Sequence, residues 1–361
     1  MSETVNPTLP PFHCTYTPSF TQLLHQLRCT VALSTYQAGK VVFISPKNEN
    51  QLIQLPRSFK KAMGLGLHKN HLVVATMDEV VVLVNSPELA RHYPKKTNTY
   101  DALYMPRAVY HTGMLDIHDI DWGKGGEIYA VNTSFSCLIR IDHHYSFTPI
   151  WKPPFISKLA SEDRCHLNGM AMENGAPRYV SAFNQGDQPQ AWRAEVTTGG
   201  ILMDVPSNEL VATGLPMPHS PRIHQGQLYL LLSATGDLVR LDPATGQYEV
   251  VCRLNGFVRG LAFHGDFAFV GLSKLRSSSK TFSQLSIADK AVHAGVAAVH
   301  LPTGRLVGEM RYLNTVDEIY DVQVFPNIVR PNILNTDKPE HKLGLTTPQT
   351  TYWAPIPEEE K

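Results

Sequence analysis

The sequence has few of the features that declare a compartment or a partner. Its 361 residues contain no apolar run near the roughly eighteen that a bilayer-spanning helix needs, so no membrane partner is expected. Five cysteines, Cys14, Cys29, Cys137, Cys165 and Cys252, stand apart without a CxxC pair or an even framework. Scattered thiols suit a reducing cytosol better than a disulfide-stapled secreted chain. The opening MSETVNPTLPPFHCTY has no basic segment leading into an apolar one, which argues against a signal peptide and for a soluble, cytoplasmic protein. Charge shows no bias: 32 basic residues balance 32 acidic ones. Bulk electrostatics therefore favour neither nucleic acid nor an anionic membrane as a partner.

Local catalytic motifs are equally scarce. There is no HxH and no HExxH; GLGLH at Gly64 lacks the lysine of a phosphate loop, and Ser220 in PHSPR lacks a nucleophile elbow. Cys165 and His166 are neighbours, but adjacent side chains on extended chain face opposite ways. A buried, inert thiol is expected there. KLRSSSK, Lys274 to Lys280, is a short basic loop without interleaved aromatics, and reads as solvated surface.

What the chain does have is a repeat. Asn168-Gly169-Met170-Ala171-Met172 shows a five-residue pattern: polar or large, small, apolar, variable, apolar. It recurs in MGLGL from Met63, HDIDW from His118, HSPRI from His219, RGLAF from Arg259 and YDVQV from Tyr320, at spacings of 55, 50, 51, 40 and 61 residues. Nearly every copy leads through a turn into a second apolar run, as in HKNHLVVAT or HQGQLYLLL. Six copies at about fifty residues mark a repeat architecture. The 26 prolines and 24 glycines punctuate the chain as short strands require.

The two ends of the pattern are complementary. SFTQLLHQLR, Ser19 to Arg28, has the apolar spacing of a short helix; CTVALSTY, KVVFIS and NQLIQLP then read as three strands. These resemble the later part of each repeat, whereas YDVQVFP supplies one strand only. The expected fold is all-β, a six-bladed β-propeller in which the N-terminal strands complete the last blade and leave no open sheet edge. Residues 1–28 read as an arm and short helix, 29–331 as the propeller and 332–361 as a Pro-rich tail. Two long connections, 151–165 and 274–295, are candidate rims or lids.

In a propeller the first strand of each blade lines the central channel, so the leading residues form a column at one mouth: Met63, His118, Asn168, His219, Arg259 and Tyr320. Five of the six are polar, although the positions two and four residues on are nearly all apolar. Asp116, Asp119, His166, Glu318 and Asp321 lie beside the column. His118, His166 and His219 are candidate ligands for a divalent transition metal of the zinc kind, with an open position for water or a carbonyl. Asp119 or Glu318 would orient a ligand or act as base. Arg259, with Asn168, would bind a carboxylate or phosphate on the substrate, or Arg259 would pair with Glu318 or Asp321. Tyr320 would donate a hydrogen bond, move a proton, or plug the channel. Histidines that merely bond strand ends fit the same residues. A metal-dependent hydrolase or lyase for a small oxygenated or carboxylate-bearing substrate is the leading expectation. A non-catalytic module binding a glycan, peptide or partner protein is its rival.

The runs STYQAGK, PRAVYHTG, NTSFSCL, WKPPFISKLASEDRCHLNGMAM, MPHSPR, RGLAF, VGLSKLR and DEIYDVQVFP closely resemble an uncharacterised bacterial family of conserved hypothetical proteins, from about Phe12 to Pro331. That resemblance implies no activity. More distantly, NGMAM followed by ENGAPRYVSAFN resembles a step of the gluconolactonase and strictosidine-synthase superfamily of six-bladed propellers. Their lactonases bind a divalent metal through Glu, Asn and Asp. Only Asn168 matches, and His118 and His219 stand where oxygen ligands would be, which favours a borderline metal over Ca²⁺. An axial three-histidine metal with nearby Arg and Tyr is similar in architecture to the peptidylglycine amidating lyase propeller, a likeness of fold alone.

Overall fold

The structure is a computed structural model that describes residues 9–275, 282 and 285–355. The basic loop beyond Leu275, residues 276–280, lies outside the described residues, as do 1–8 of the arm and 356–361 of the tail.

Each repeat folds as a four-stranded antiparallel sheet, and six such blades close a ring. The first strands are Leu65–His68, Ile117–Trp122, Leu167–Glu173, Pro218–His224, Phe257–His264 and Asp321–Pro326, which we number blades 1 to 6. Each touches the first strand of its neighbours, so together they form the inner wall. Blade 6 is the closure expected from the sequence. Asp321–Pro326 pairs antiparallel with Cys29–Thr35, from Cys29 opposite Pro326 to Ser34 opposite Asp321; Lys40–Asn48 and Gln51–Ser58 complete the sheet.

The flanks of the closing blade are also covered. Cys14–Tyr16 adds a strand to the outer edge of blade 5, and Pro331–Ile333 runs parallel to Ala102–Tyr104 on the outer edge of blade 1. The helix Pro18–Leu27 starts at a proline and stops at Arg28 in a left-handed conformation. Its apolar face buries Phe20, Leu23 and Leu24 against strands of blades 5 and 6. The described part of the expected tail, 332–355, holds more order than a tail implies: Gly344–Thr346 and Thr351–Trp353 form a hairpin, and the Trp353 indole donates to Leu89 O at 3.0 Å.

Blades pack face to face through Val, Leu, Ile and aromatic side chains, each fully buried one contributing roughly 1.5–3 kcal/mol. Between blades 6 and 1, Phe43, Tyr104 and Phe325 meet with ring centroids 5.1 to 6.2 Å apart.

The second position of the repeat alternates around the ring. Blades 1, 3 and 5 carry Gly64, Gly169 and Gly260; blades 2, 4 and 6 carry Asp119, Ser220 and Asp321. Each even-blade oxygen accepts an N–H from the next odd blade: Asp119 Oδ2 from Met170 N at 2.9 Å, Ser220 Oγ from Gly260 N at 3.0 Å, Asp321 Oδ2 from Leu65 N at 2.8 Å. The glycines admit the close approach on their other side. A Cβ at Gly260 would sit 2.7 Å from Asp321 Cα, and one at Gly169 3.0 Å from Ser220 N. The barrel wall is thus three repeats of a two-blade unit.

Arg222 of blade 4 fills the channel inside this ring. It forms a bidentate pair with Asp119 at 2.7 and 2.9 Å, donates to Met170 O and Pro221 O at 2.9 Å each, and lies 3.8 Å from Asp321 Oδ1. Burial in this crowded interior pushes the Asp321 carboxyl up to about 7, against the pull of Arg222. Asp121 rises to about 6 for the same first reason.

Candidate functional site at the channel mouth

The ladder breaks at four of the six leading residues. Pairing of blade 2 jumps from Ile117 to Asp119, and that of blade 3 from Leu167 to Gly169, leaving His118 and Asn168 as bulged residues. Blades 4 and 5 skip between His219 and Arg222 and between Val258 and Leu261, the latter gap containing Arg259. A bulge frees a side chain from strict alternation and re-aims it. The backbone here is also left-handed at Asp116, Asp163, His166, Met217 and Ser220, with φ between 46 and 55°. Non-glycine residues held there store strain, a feature that clusters at functional sites.

His118, His166, Arg259 and Tyr320 come together. The rings of His118 and His166 are 4.8 Å apart and edge-on, and His118 and Tyr320 are 5.3 Å apart. The Arg259 guanidinium lies over the Tyr320 ring, 3.3 Å from its centroid, and its Nη1 is 4.0 Å from Glu318 Oε1. Phe183 links His166 to His219, with centroid separations of 4.6 and 5.1 Å.

The three histidines share one tautomer. His118 Nδ1 contacts the carbonyl of Asp116 at 3.1 Å, and a carbonyl only accepts, so Nδ1 carries the proton. His219 Nδ1 lies 2.7 Å from Ser233 Oγ; that hydroxyl gives its own proton to Val258 O at 2.5 Å, so His219 must donate. His166 Nδ1 faces both oxygens of Asp163 at 3.1 Å. In the neutral ring each Nε2 is left with a lone pair. Burial, then the positive charge of Arg259, holds His118 and His219 well below the usual imidazole range, hence neutral at pH 7. Burial likewise lifts the Tyr320 phenol far above its ordinary value, so it is a donor and not a base.

The connection 151–165 supplies His166 on a braced base. Arg164 binds Glu162 Oε2 at 2.7 and 2.8 Å, Asp187 Oδ1 at 2.5 Å and Ser157 Oγ at 3.1 Å. The Trp192 indole donates to Asp163 Oδ2 at 2.9 Å, and its ring lies 4.4 Å from that of His166. Cys165 is fully buried, and burial pushes its thiol up to about 12, which keeps it inert.

Two expected participants have contacts of their own. Asp119 is committed to Arg222 and to Met170 N in the channel. Asn168 accepts from Ser181 Oγ at 2.7 Å, while its Nδ2 finds no partner. Asp163, Phe183, Trp192 and Arg222 were not marked by the repeat. Arg222 holds a position filled by Gly66, Ala171 and Ala262 in blades 1, 3 and 5 and by Asp121 and Gln323 in blades 2 and 6, so its charge alone did not single it out.

Three imidazole lone pairs with braced second nitrogens have the donor chemistry of a borderline-metal site. Among the described residues, however, no three His, Cys, Asp or Glu side chains stand close enough to hold a metal ion. The donors fit such a metal; their spacing does not.

The fold is a six-bladed propeller, and His118, His166, Arg259 and Tyr320 cluster at the starts of its inner strands. Residues 18–334 match the family described as Domain of unknown function (DUF4915), and the chain belongs to that family. No curated protein matches it. Among solved structures it is similar to a chain of a nidogen–laminin complex, at 11% identity over 83% of this chain and 99% of that one, with a TM-score of 0.52. It is also similar to a protein of unknown function from Bacteroides caccae, at 8% identity, 82% and 98% coverage and the same TM-score of 0.52. At such identities the likeness concerns the fold alone. No helix among the described residues is long and apolar enough to cross a membrane.

Proposed function

We propose that the mouth is the active site of a hydrolase or lyase acting on a small oxygenated or carboxylate-bearing substrate. One observation carries this: three histidines are pinned through Nδ1, which leaves each neutral ring an Nε2 lone pair, in a cluster that also holds the Arg259 guanidinium. Arg259 anchors the anionic group, the Tyr320 O–H donates to a developing oxyanion, and His166, steadied by Asp163, moves the proton. Glu318 beside Arg259 sets the charge of the seat.

A divalent transition metal on His118, His166 and His219 is the second reading, favoured by the shared tautomer and opposed by the spacing. Metal analysis of protein purified without chelators separates the two. Stoichiometric zinc-type metal, and a melting temperature lowered by EDTA, would establish the metal; neither would dismiss it. The hydrolase or lyase reading is tested with a panel of small esters, lactones and hydroxy acids. Turnover that disappears in His166→Ala supports it. Uptake of panel compounds with no product would leave a binding module instead.

A further inference from the structure

Beside the mouth opens a cleft of about 450 Å³, within the range of small-molecule sites. Its lining is of two kinds. Phe257, Leu275 and Phe282 are apolar; Arg259, Lys274, Asp317 and Glu318 are charged. Lys274 is already paired, its Nζ 2.5 Å from Asp317 Oδ1. Arg259 is not fully engaged: its side chain is 12% exposed and its contact with Glu318 stretches to 4.0 Å. Its Nη2 is buried without a hydrogen-bond partner. A buried donor left without an acceptor is destabilising, and an incoming oxygen would relieve it.

The two kinds of lining adjoin. Phe257 lies 5.8 Å from the His219 ring on one side and 5.8 Å from Phe282 on the other. A ligand can therefore seat its charge on Arg259 and run its body along the phenylalanines. A planar carboxylate matches the guanidinium fork.

We propose that this cleft takes an amphipathic acid, with its carboxylate on Arg259 and an aromatic or branched apolar body against Phe257, Leu275 and Phe282. The proposal rests on the mouth being a small-molecule site, as argued above, but not on catalysis there.

Calorimetric titration of the full chain with 3-phenylpropionate, its primary amide and acetate tests it. The acid should bind at least about tenfold more tightly than either of the others. Arg259→Gln should remove that advantage over the amide, and Arg259→Lys, which keeps the charge without the fork, should retain only part of it. Amide binding equal to acid binding, or unchanged acid binding in a folded Arg259→Gln, overturns the carboxylate seat. Acetate binding as tightly as the longer acid overturns the apolar seat, and no binding of the acid overturns both. Acid binding with no turnover of the ester panel removes the enzyme reading and leaves this one standing. Turnover of neutral esters without acid binding does the reverse.

Discussion

Asp119 of blade 2 and Arg222 of blade 4 meet inside the channel in a two-pronged ion pair, with N–O distances of 2.7 and 2.9 Å. The pair skips a blade, so it ties together parts of the ring that no strand pairing joins. Breaking a buried pair leaves a charge without compensation, at a cost of about 3–5 kcal/mol. Arg222→Met should therefore lower stability steeply. The double change Asp119→Asn with Arg222→Met should be less damaging than the two single losses added together. Denaturant titration of the four proteins measures this coupling, and strict additivity would count against it.

The alternation of Gly and Asp or Ser makes a second prediction. Gly260→Ala places a methyl 2.7 Å from Asp321 Cα at a φ of +78°, whereas Gly265, at +57°, has nothing within 4 Å of a new Cβ. Both substitutions carry a left-handed penalty of about 1 kcal/mol. Only Gly260→Ala adds overpacking of about 1–3 kcal/mol. Its melting temperature should fall clearly further, and equal falls would show that the close approach is not required.

Asp321 gives a pH dependence of known sign. Its carboxyl is raised to about 7 in the folded chain, so the native state binds the proton more tightly than the unfolded one. That stabilisation is full below the ordinary carboxylate range, near pH 4, and is lost as pH rises through about 7, with a slope of at most about 1.4 kcal/mol per pH unit. Asp321→Asn cannot titrate. The melting temperature of the wild type relative to this variant should fall between pH 5 and pH 8, and a constant difference would contradict the raised value.

Arg164 makes a fourth. Because it binds Glu162, Asp187 and Ser157 together, Arg164→Met should free the connection 151–165 and leave the blades intact. Limited proteolysis should then cut within that connection faster than in the wild type, at nearly unchanged thermal stability. Unchanged cleavage would mean that the bracing lies elsewhere.

The ring and its closure were legible because a two-residue alternation, repeated six times, survives any local irregularity. The column of leading residues was legible as a set of positions. Its meeting of His118, His166, Arg259 and Tyr320 in space depends on bulges that the apolar pattern only hints at. Asp163 and Trp192 were invisible for a different reason. They come from the connections between strands, where no period applies, and meet His166 through left-handed backbone at Asp163 and His166. Asp119 follows His118 directly in the sequence, which suggests a shared role, yet one step along a strand turns a side chain away. The two-blade unit of the inner wall was readable in principle from Gly64, Asp119, Gly169, Ser220, Gly260 and Asp321, once the second position was seen as two classes instead of one.

The closing sheet also fixes an order of events. Cys29–Thr35 is made early by a ribosome, and its partner Asp321–Pro326 emerges nearly three hundred residues later. Until then a strand whose seven residues are all buried in the finished ring presents an unpaired edge, and contacts this distant in sequence form slowly. The nascent chain thus carries a sticky, waiting flank through most of its synthesis. Newborn chains meeting at high concentration would find in each other the strand that each still lacks.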